Sequence, residues 1–315
     1  MPINWKKTLT FLLLTFGVNW GMAAAYYASG GKLTSPIGMA FAISYMFIPM
    51  LMAILTQKIF RKKVIRPLGI SFKLNRWYLA AIALPLMIAF AAFAIALLFP
   101  DVAYSAGMEG MIERYAAIIP PEQLGETRRQ ISMITPLGIL GILILQGSIA
   151  ACTVNGLAAF GEELGWRGLL LRELAPLGFW RASFLIGAIW GIWHAPIIIQ
   201  GYNYPQHPLL GILLMTLFCM LVAPLFGYIR LRARSVIAAA VMHGALNGFA
   251  LVPVLLLRGG DDLTTGITGG PGLIAYALAC ILLYWYDTRR TKAPIDINKE
   301  PVSYTHLTLP TIYSV

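Results

Sequence analysis

LGILGILILQGSIAACTVNGLAAFGEELGWR, residues 137–167, is an apolar run that ends in two adjacent carboxylates and an arginine. Its length and hydropathy read as a membrane-crossing helix, which needs about 20 apolar residues. Glu162, Glu163 and Arg167 then stand where such a helix should carry no charge. An ionisable group at the bilayer centre costs roughly 2.5–3.5 kcal/mol on insertion scales, so such groups are paired or functional. Two later apolar runs each carry a histidine, His194 and His243.

The whole chain is built in the same style. Hydrophobic residues make up 58% of it and charged residues only 12%, and the mean hydropathy is +0.73. A soluble domain carries about 25% charged residues, so the composition is that of an integral membrane protein. The net charge of +11 does not point to nucleic acid, because the basic residues fall in short clusters between apolar runs and form no basic face with interleaved aromatics. Cys152, Cys219 and Cys280 are widely separated within apolar runs, which suits packing and gives no disulfide framework or metal signature.

Eight runs approach or reach spanning length: Leu9–Tyr27, Ile37–Leu55, Trp77–Phe99, Leu137–Phe160, Ala182–Ile199, Leu209–Tyr228, Val236–Leu257 and Gly272–Tyr286. With the N-terminus in the cytoplasm, the inside segments hold 19 of the 24 lysines and arginines. The outside segments keep only Lys32, Arg114, Arg128, Arg129 and Arg258. This asymmetry predicts an all-α membrane protein of about eight transmembrane helices in the cell membrane, with both termini cytoplasmic. The first run is longer than a signal-peptide core and reads as an uncleaved helix.

Residues 1–136 then form a unit of three helices plus an outside connection, 137–290 the core that carries the charges and histidines, and 291–301 a cytoplasmic tail. In the connection, Met108, Met111, Ile112 and Tyr115 recur at helical spacing with Glu109, Glu113 and Arg114 opposite, ended by Pro120-Pro121. That pattern predicts an amphipathic surface helix. Residues 302–315, from Val302-Ser303-Tyr304-Thr305-His306 onward, look like the translation of a sequencing adapter and are set aside, His306 included.

Helical positions four apart share a face. Glu163 and Arg167 have that spacing and form an ion pair on this reading, which leaves Glu162 with a different task and Trp166 to wall it off. Trp190 and His194 share a second face, with Pro196 placed to break the helix beside the histidine; His243 and Asn247 share a third. The inventory suits attack by water on a carbonyl. Glu162 takes the proton from water, His194 positions that water, and His243 and Asn247 donate to the developing oxyanion. Zinc held by Glu162, His194 and His243 is the alternative, although the chain lacks His-Glu-x-x-His and the three residues lie on separate helices.

Glu162-Glu163-x-x-x-Arg167, Trp190-x-x-x-His194 and His243-x-x-x-Asn247, in that order, resemble the three motifs of the CPBP intramembrane proteases, the family of CAAX prenyl endopeptidases and bacteriocin-processing or immunity (Abi) proteins. The match covers roughly Leu137–Leu257. The resemblance implies a helical bundle with a hydrophilic cavity open toward the cytoplasm and peptide hydrolysis by glutamate-activated water. It assigns Glu162, His194, His243 and Asn247 to catalysis and Glu163 and Arg167 to support, with no cofactor favoured and zinc as the alternative. One departure is Trp190, where the family motif usually begins with phenylalanine.

The partners this implies are the lipid bilayer and a membrane-associated or lipidated peptide or protein; two other readings are a non-catalytic immunity or scaffold protein on the same fold and a transporter with a proton relay. Depth poses one difficulty. At ~1.5 Å per residue from the cytoplasmic ends, His243 lies ~13 Å deep and His194 ~20 Å, while Glu162 falls near the surface. Convergence requires the fourth helix to sit higher or the fifth to begin below the surface.

Overall fold

A computed structural model describes residues 2–108, 110, 125, 126, 129, 133–291 and 293–297. Most of the amphipathic pattern between Met108 and Pro121, and the tail from Val302, lie outside the described residues. Nine helices carry the described architecture: α1 (Trp5–Ala28), α2 (Pro36–Ile59), α3 (Trp77–Ala96), α4 (Pro136–Cys152), α5 (Val154–Glu163), α6 (Phe179–Trp193), α7 (Pro208–Ala233), α8 (Val236–Gly248) and α9 (Gly270–Trp285). Several start at side-chain caps. Asn4, Ser35, Thr135 and Ser235 accept from the backbone N–H groups of Lys7, Gly38, Gly138 and Ile237, and Pro36 and Pro136 supply the preset φ of a first helical residue.

Among the described residues, five helices are long and apolar enough to cross a membrane, or six if a bent pair is one span. The bent pair is the opening stretch. Its apolar run was expected to be one helix, but α4 and α5 meet at 49°. The break is at Thr153, whose backbone (φ −126°, ψ −109°) is not helical and whose hydroxyl donates to the Ile149 carbonyl. Beyond α5 the helix does not stop at Phe160. It widens into a π-turn over Leu164–Leu170 and continues to Glu173. Glu162 therefore lies roughly 16 Å from the end of its own rod, at 1.5 Å per residue. The depth difficulty disappears because the helix extends further than the apolar run.

The run Val236–Leu257 also departs from a single helix. α8 ends at Gly248, a 3-10 turn holds Val252–Val254 around Pro253, and Leu257–Gly259 (β2) pairs antiparallel with Val102–Tyr104 (β1). The fold is mostly helical, with this short ribbon added, because Pro253 has no N–H to continue a helix and Gly259 and Gly260 adopt positive φ. α6 and α9 have 15 and 16 residues; a turn over Ala195–Ile198 follows α6, and a π-turn over Tyr286–Arg290 extends α9.

The segments richest in lysine and arginine gather at one end of the bundle. There Lys7 pairs with Glu173 (2.7 Å), Asn75 donates to the Ala233 carbonyl (3.0 Å), the Ser235 hydroxyl donates to the Ser71 carbonyl, and Arg232 meets Asp287 at 3.4 Å. The ribbon lies at the opposite end, where the Tyr204 hydroxyl donates to the Thr268 carbonyl (2.7 Å).

Between the ends, α1, α2 and α6 are tied by buried polar groups. Asn19 donates from Nδ2 to the Tyr45 carbonyl (2.9 Å) and accepts from Trp193 Nε1 (2.9 Å), while the Tyr45 hydroxyl donates to the Trp193 carbonyl (2.9 Å). Asn19→Ala leaves an indole N–H and a carbonyl buried without these partners. We expect a loss of about 1–2 kcal/mol, read as a lower thermal midpoint in detergent.

Candidate active site

Glycines bring the motif helices together. Gly161 and Gly165, four apart, face α2: a Cβ on Gly161 would lie 2.6 Å from the Met46 carbonyl oxygen, and one on Gly165 2.8 Å from Pro49 Cβ. A Cβ on Gly244 would come within 2.7 Å of the Gly156 nitrogen, so α8 lies directly on α5. Such spacing is the membrane equivalent of close packing, since small residues let backbones touch.

On this scaffold Glu163 is fully buried and its Oε1 receives two donors, Arg167 Nη1 at 3.0 Å and His243 Nδ1 at 2.9 Å. The Glu163–Arg167 pair matches the spacing argument and persists across the entry to the π-turn. The bond to His243 assigns the Nδ1 proton and leaves Nε2 as the other ring nitrogen. Arg167 is flattened over two rings, 4.5 Å from the Trp190 centroid and 4.9 Å from that of Phe226. Its carbonyl accepts from Arg230 Nε (3.3 Å).

Trp190 is the hub of the site. Its indole N–H donates to Glu162 Oε2 at 2.7 Å. Its ring centroid is 5.6 Å from that of His194 and 5.4 Å from that of His243. Trp166, expected to wall off Glu162, packs against Phe11 and Trp193.

His194 sits where α6 ends. Its backbone N–H turns to the Gly191 carbonyl (3.1 Å), and its Nδ1 takes the Trp190 carbonyl (2.8 Å). Pro196 has no N–H to offer the Ile192 carbonyl four residues earlier, so a regular helix cannot continue through this point. With Nδ1 facing a carbonyl, Nδ1 carries the proton and Nε2 is an acceptor.

Glu162, Trp190, His194, His243 and Asn247 all line one cavity of about 410 Å³. Glu162, His194 and His243 are buried, whereas Asn247 is exposed. Asn155, Tyr45 and Cys219 share the lining and were missed by the sequence reading. Asn155 lies seven residues before Glu162, two helical turns on the same face, so its spacing was a readable signal. Tyr45 and Cys219 offered none.

One group of three ligand-type side chains among the described residues has its donor atoms within 4.8 Å of one another, and it is His207, Asp261 and Asp262. Glu162, His194 and His243 do not form such a group, while zinc bonds of about 2.0–2.2 Å require ligand atoms that close.

The cavity reaches Leu33, Tyr202, Asn203 and Gly266–Thr268, a rim at the end opposite the basic segments. That outer rim is braced by His207, whose Nδ1 contacts Asp262 Oδ1 at 2.6 Å, and by Asp262 Oδ2, which accepts from the Gln206 N–H at 2.7 Å.

Two outcomes follow. Arg167→Ala leaves the Glu163 carboxylate buried with His243 alone, and the expected loss is about 3–5 kcal/mol, visible in thermal unfolding in detergent. The bond to Asp262 raises the His207 pKa, so the brace is complete below the ordinary histidine value of about 6.5 and weakens as pH rises through the raised value. The difference in thermal midpoint between the parent and His207→Ala should be larger near pH 6 than near pH 9.

Residues 144–249 match the family model of the Type II CAAX prenyl endopeptidase Rce1-like proteins. Over 49 residues the chain is 43% identical to CAAX prenyl protease 2 of Methanococcus maripaludis, a match covering 15% of this chain and 18% of that relative. These similarities support the CPBP resemblance carried by the three motifs, and the matched model contains all four residues assigned to catalysis.

Proposed function

We propose that this chain, Rce1-like over residues 144–249, is an eight-span intramembrane endopeptidase of the cell membrane with cytoplasmic termini. It hydrolyses a peptide bond of a membrane-associated or lipidated substrate with Glu162 as general base. The observation that carries this reading is the bond from Trp190 Nε1 to Glu162 Oε2 (2.7 Å). It occupies one carboxylate oxygen and leaves the other for water in a cavity that His194, His243 and Asn247 also line.

Glu162 removes a proton from water as the hydroxyl oxygen bonds to the scissile carbonyl carbon, and the carbonyl π electrons move to oxygen. His194 Nε2, the acceptor nitrogen, positions the water. His243 and Asn247 donate to the oxyanion, a term worth about 3–4 kcal/mol per donor. To donate from Nε2, His243 must be protonated on both nitrogens, and the Glu163 carboxylate compensates that charge. Collapse of the tetrahedral species breaks the C–N bond, and the proton held by Glu162 passes to the departing amine. Eight spans require α6 with its following turn, and α9 with its π-turn, to count as crossings; the basic segments at one end support that topology.

Glu162→Gln keeps an acceptor for Trp190 but cannot take a proton. Its cleavage of a membrane-anchored reporter peptide should fall by about 10²–10⁴-fold at an unchanged thermal midpoint, and the parent should keep its activity in strong chelators. Full activity of the Gln variant, or activity lost to chelator and restored by zinc, rules out the glutamate mechanism.

A further inference from the structure

The connection from α2 to α3 is fixed to the bundle through its backbone while most of its side chains face outward. α2 ends at Ile59. Just beyond, Arg61 adopts φ 51° and the Lys62 N–H reaches back to the Gln57 carbonyl (2.7 Å), a helix-ending turn. The buried Gln57 side chain donates to the Lys63 carbonyl (2.7 Å). Further on, the Gly69 carbonyl accepts from the Val236 N–H (2.8 Å), the Ser71 carbonyl accepts from the Ser235 hydroxyl, and Asn75 Nδ2 donates to the Ala233 carbonyl (3.0 Å). Leu68, fully buried, seats the middle of the segment in the core.

The side chains that this braced segment presents are of two kinds. Phe72 is 83% exposed, Leu74 81% and Ile65 63%. Around them in the chain stand Lys58, Arg61, Lys62, Lys63, Arg66, Lys73 and Arg76, all exposed, and residues 58–76 contain no Asp or Glu. Among the described residues none of these seven cations forms an ion pair; the pairs lie elsewhere. A topology signal needs the charges alone. It does not need large apolar side chains held clear of the protein between them.

A surface that is both cationic and apolar complements the interface of an anionic leaflet, where phosphates lie beside hydrocarbon. The position fits as well. The segment leaves α2 and enters α3, two helices long and apolar enough to cross a membrane, so it starts and ends at headgroup level. We propose that residues 58–76 are a docking surface for anionic phospholipids, with Phe72 and Leu74 inserted among the acyl chains and the lysines and arginines on the phosphates. Arginine meets a phosphate through paired N–H groups and lysine as a point charge on a long stem. Val236, bonded to Gly69, opens α8, the helix that carries His243, so lipid bound here steadies that helix start. Lipid docking requires no cleavage and is independent of the peptidase reading.

The test uses the full-length protein with Cys152, Cys219 and Cys280 replaced by alanine and Phe72→Cys labelled with bimane. Leu74→Cys is the second labelling position should the first variant misfold. The protein is placed in nanodiscs of equal parts phosphatidylcholine and phosphatidylglycerol, with bromines on the acyl chains of one lipid or the other. Brominated phosphatidylglycerol should quench the label about twofold or more beyond brominated phosphatidylcholine. Combining Lys62→Gln, Lys63→Gln, Arg66→Gln and Lys73→Gln should make the two lipids quench equally, and high salt should narrow the difference. Absence of quenching by either lipid puts the segment outside the bilayer, open to a soluble partner, and overturns the proposal. Equal quenching in the parent, or a preference that survives the four glutamines, overturns it too.

Discussion

The buried carboxylate of Glu163 holds the site together. A charge inside a membrane bundle is tolerated only when partners replace its water, and Glu163 finds two, one on its own helical rod and one on α8. Those contacts set everything around them. Arg167, drawn inward, stacks on Trp190 and Phe226; His243 is held at Nδ1; the region beneath both becomes packed interior. A structural ion pair thereby makes the floor of the cavity.

That arrangement requires helices closer than ordinary side chains permit. Gly161 and Gly165 bring the α5 rod against α2, Gly156 meets Gly244, and Gly191 lies on Thr216. The motif Gly161-Glu162-Glu163-Leu164-Gly165 thus has a division of labour: the glycines supply close approach, Glu163 holds Arg167 and His243, and Glu162 faces the cavity. Along the π-turn that follows, Trp166 meets Phe11 and Trp193 while Arg167 reaches Glu163.

Tryptophan at position 190 gains meaning from its neighbours. Phenylalanine, usual in the resembling family, fills a pocket but donates nothing. The indole places a hydrogen bond on Glu162 and its ring between two histidines. The departure that suggested only a narrower cavity on sequence grounds is a direct contact with the proposed base.

Legibility followed locality. The Glu163–Arg167 pair could be read because four residues of helix bring the two groups together whatever surrounds them. The break near Pro196 was readable for the same reason, since a missing N–H is a covalent fact. Asn19, polar in the middle of an apolar run, carried a usable signal of a buried partner, though not which one. The break at Thr153 was hidden because the hydropathy on both sides is continuous.

Composition, apolar run length, basic clusters and motif spacing by themselves determined a multi-pass helical membrane protein and named the residues that share its cavity. Only the tertiary structure decided that Trp190 rather than Trp166 touches Glu162, that Glu163 rather than solvent holds His243, and that the cavity lies toward the end poor in basic residues. Each of those depends on contacts between residues 28 to 80 positions apart or on which helix ends pack shut. Periodicity along one chain fixes a side chain's face, but only packing fixes what that face meets.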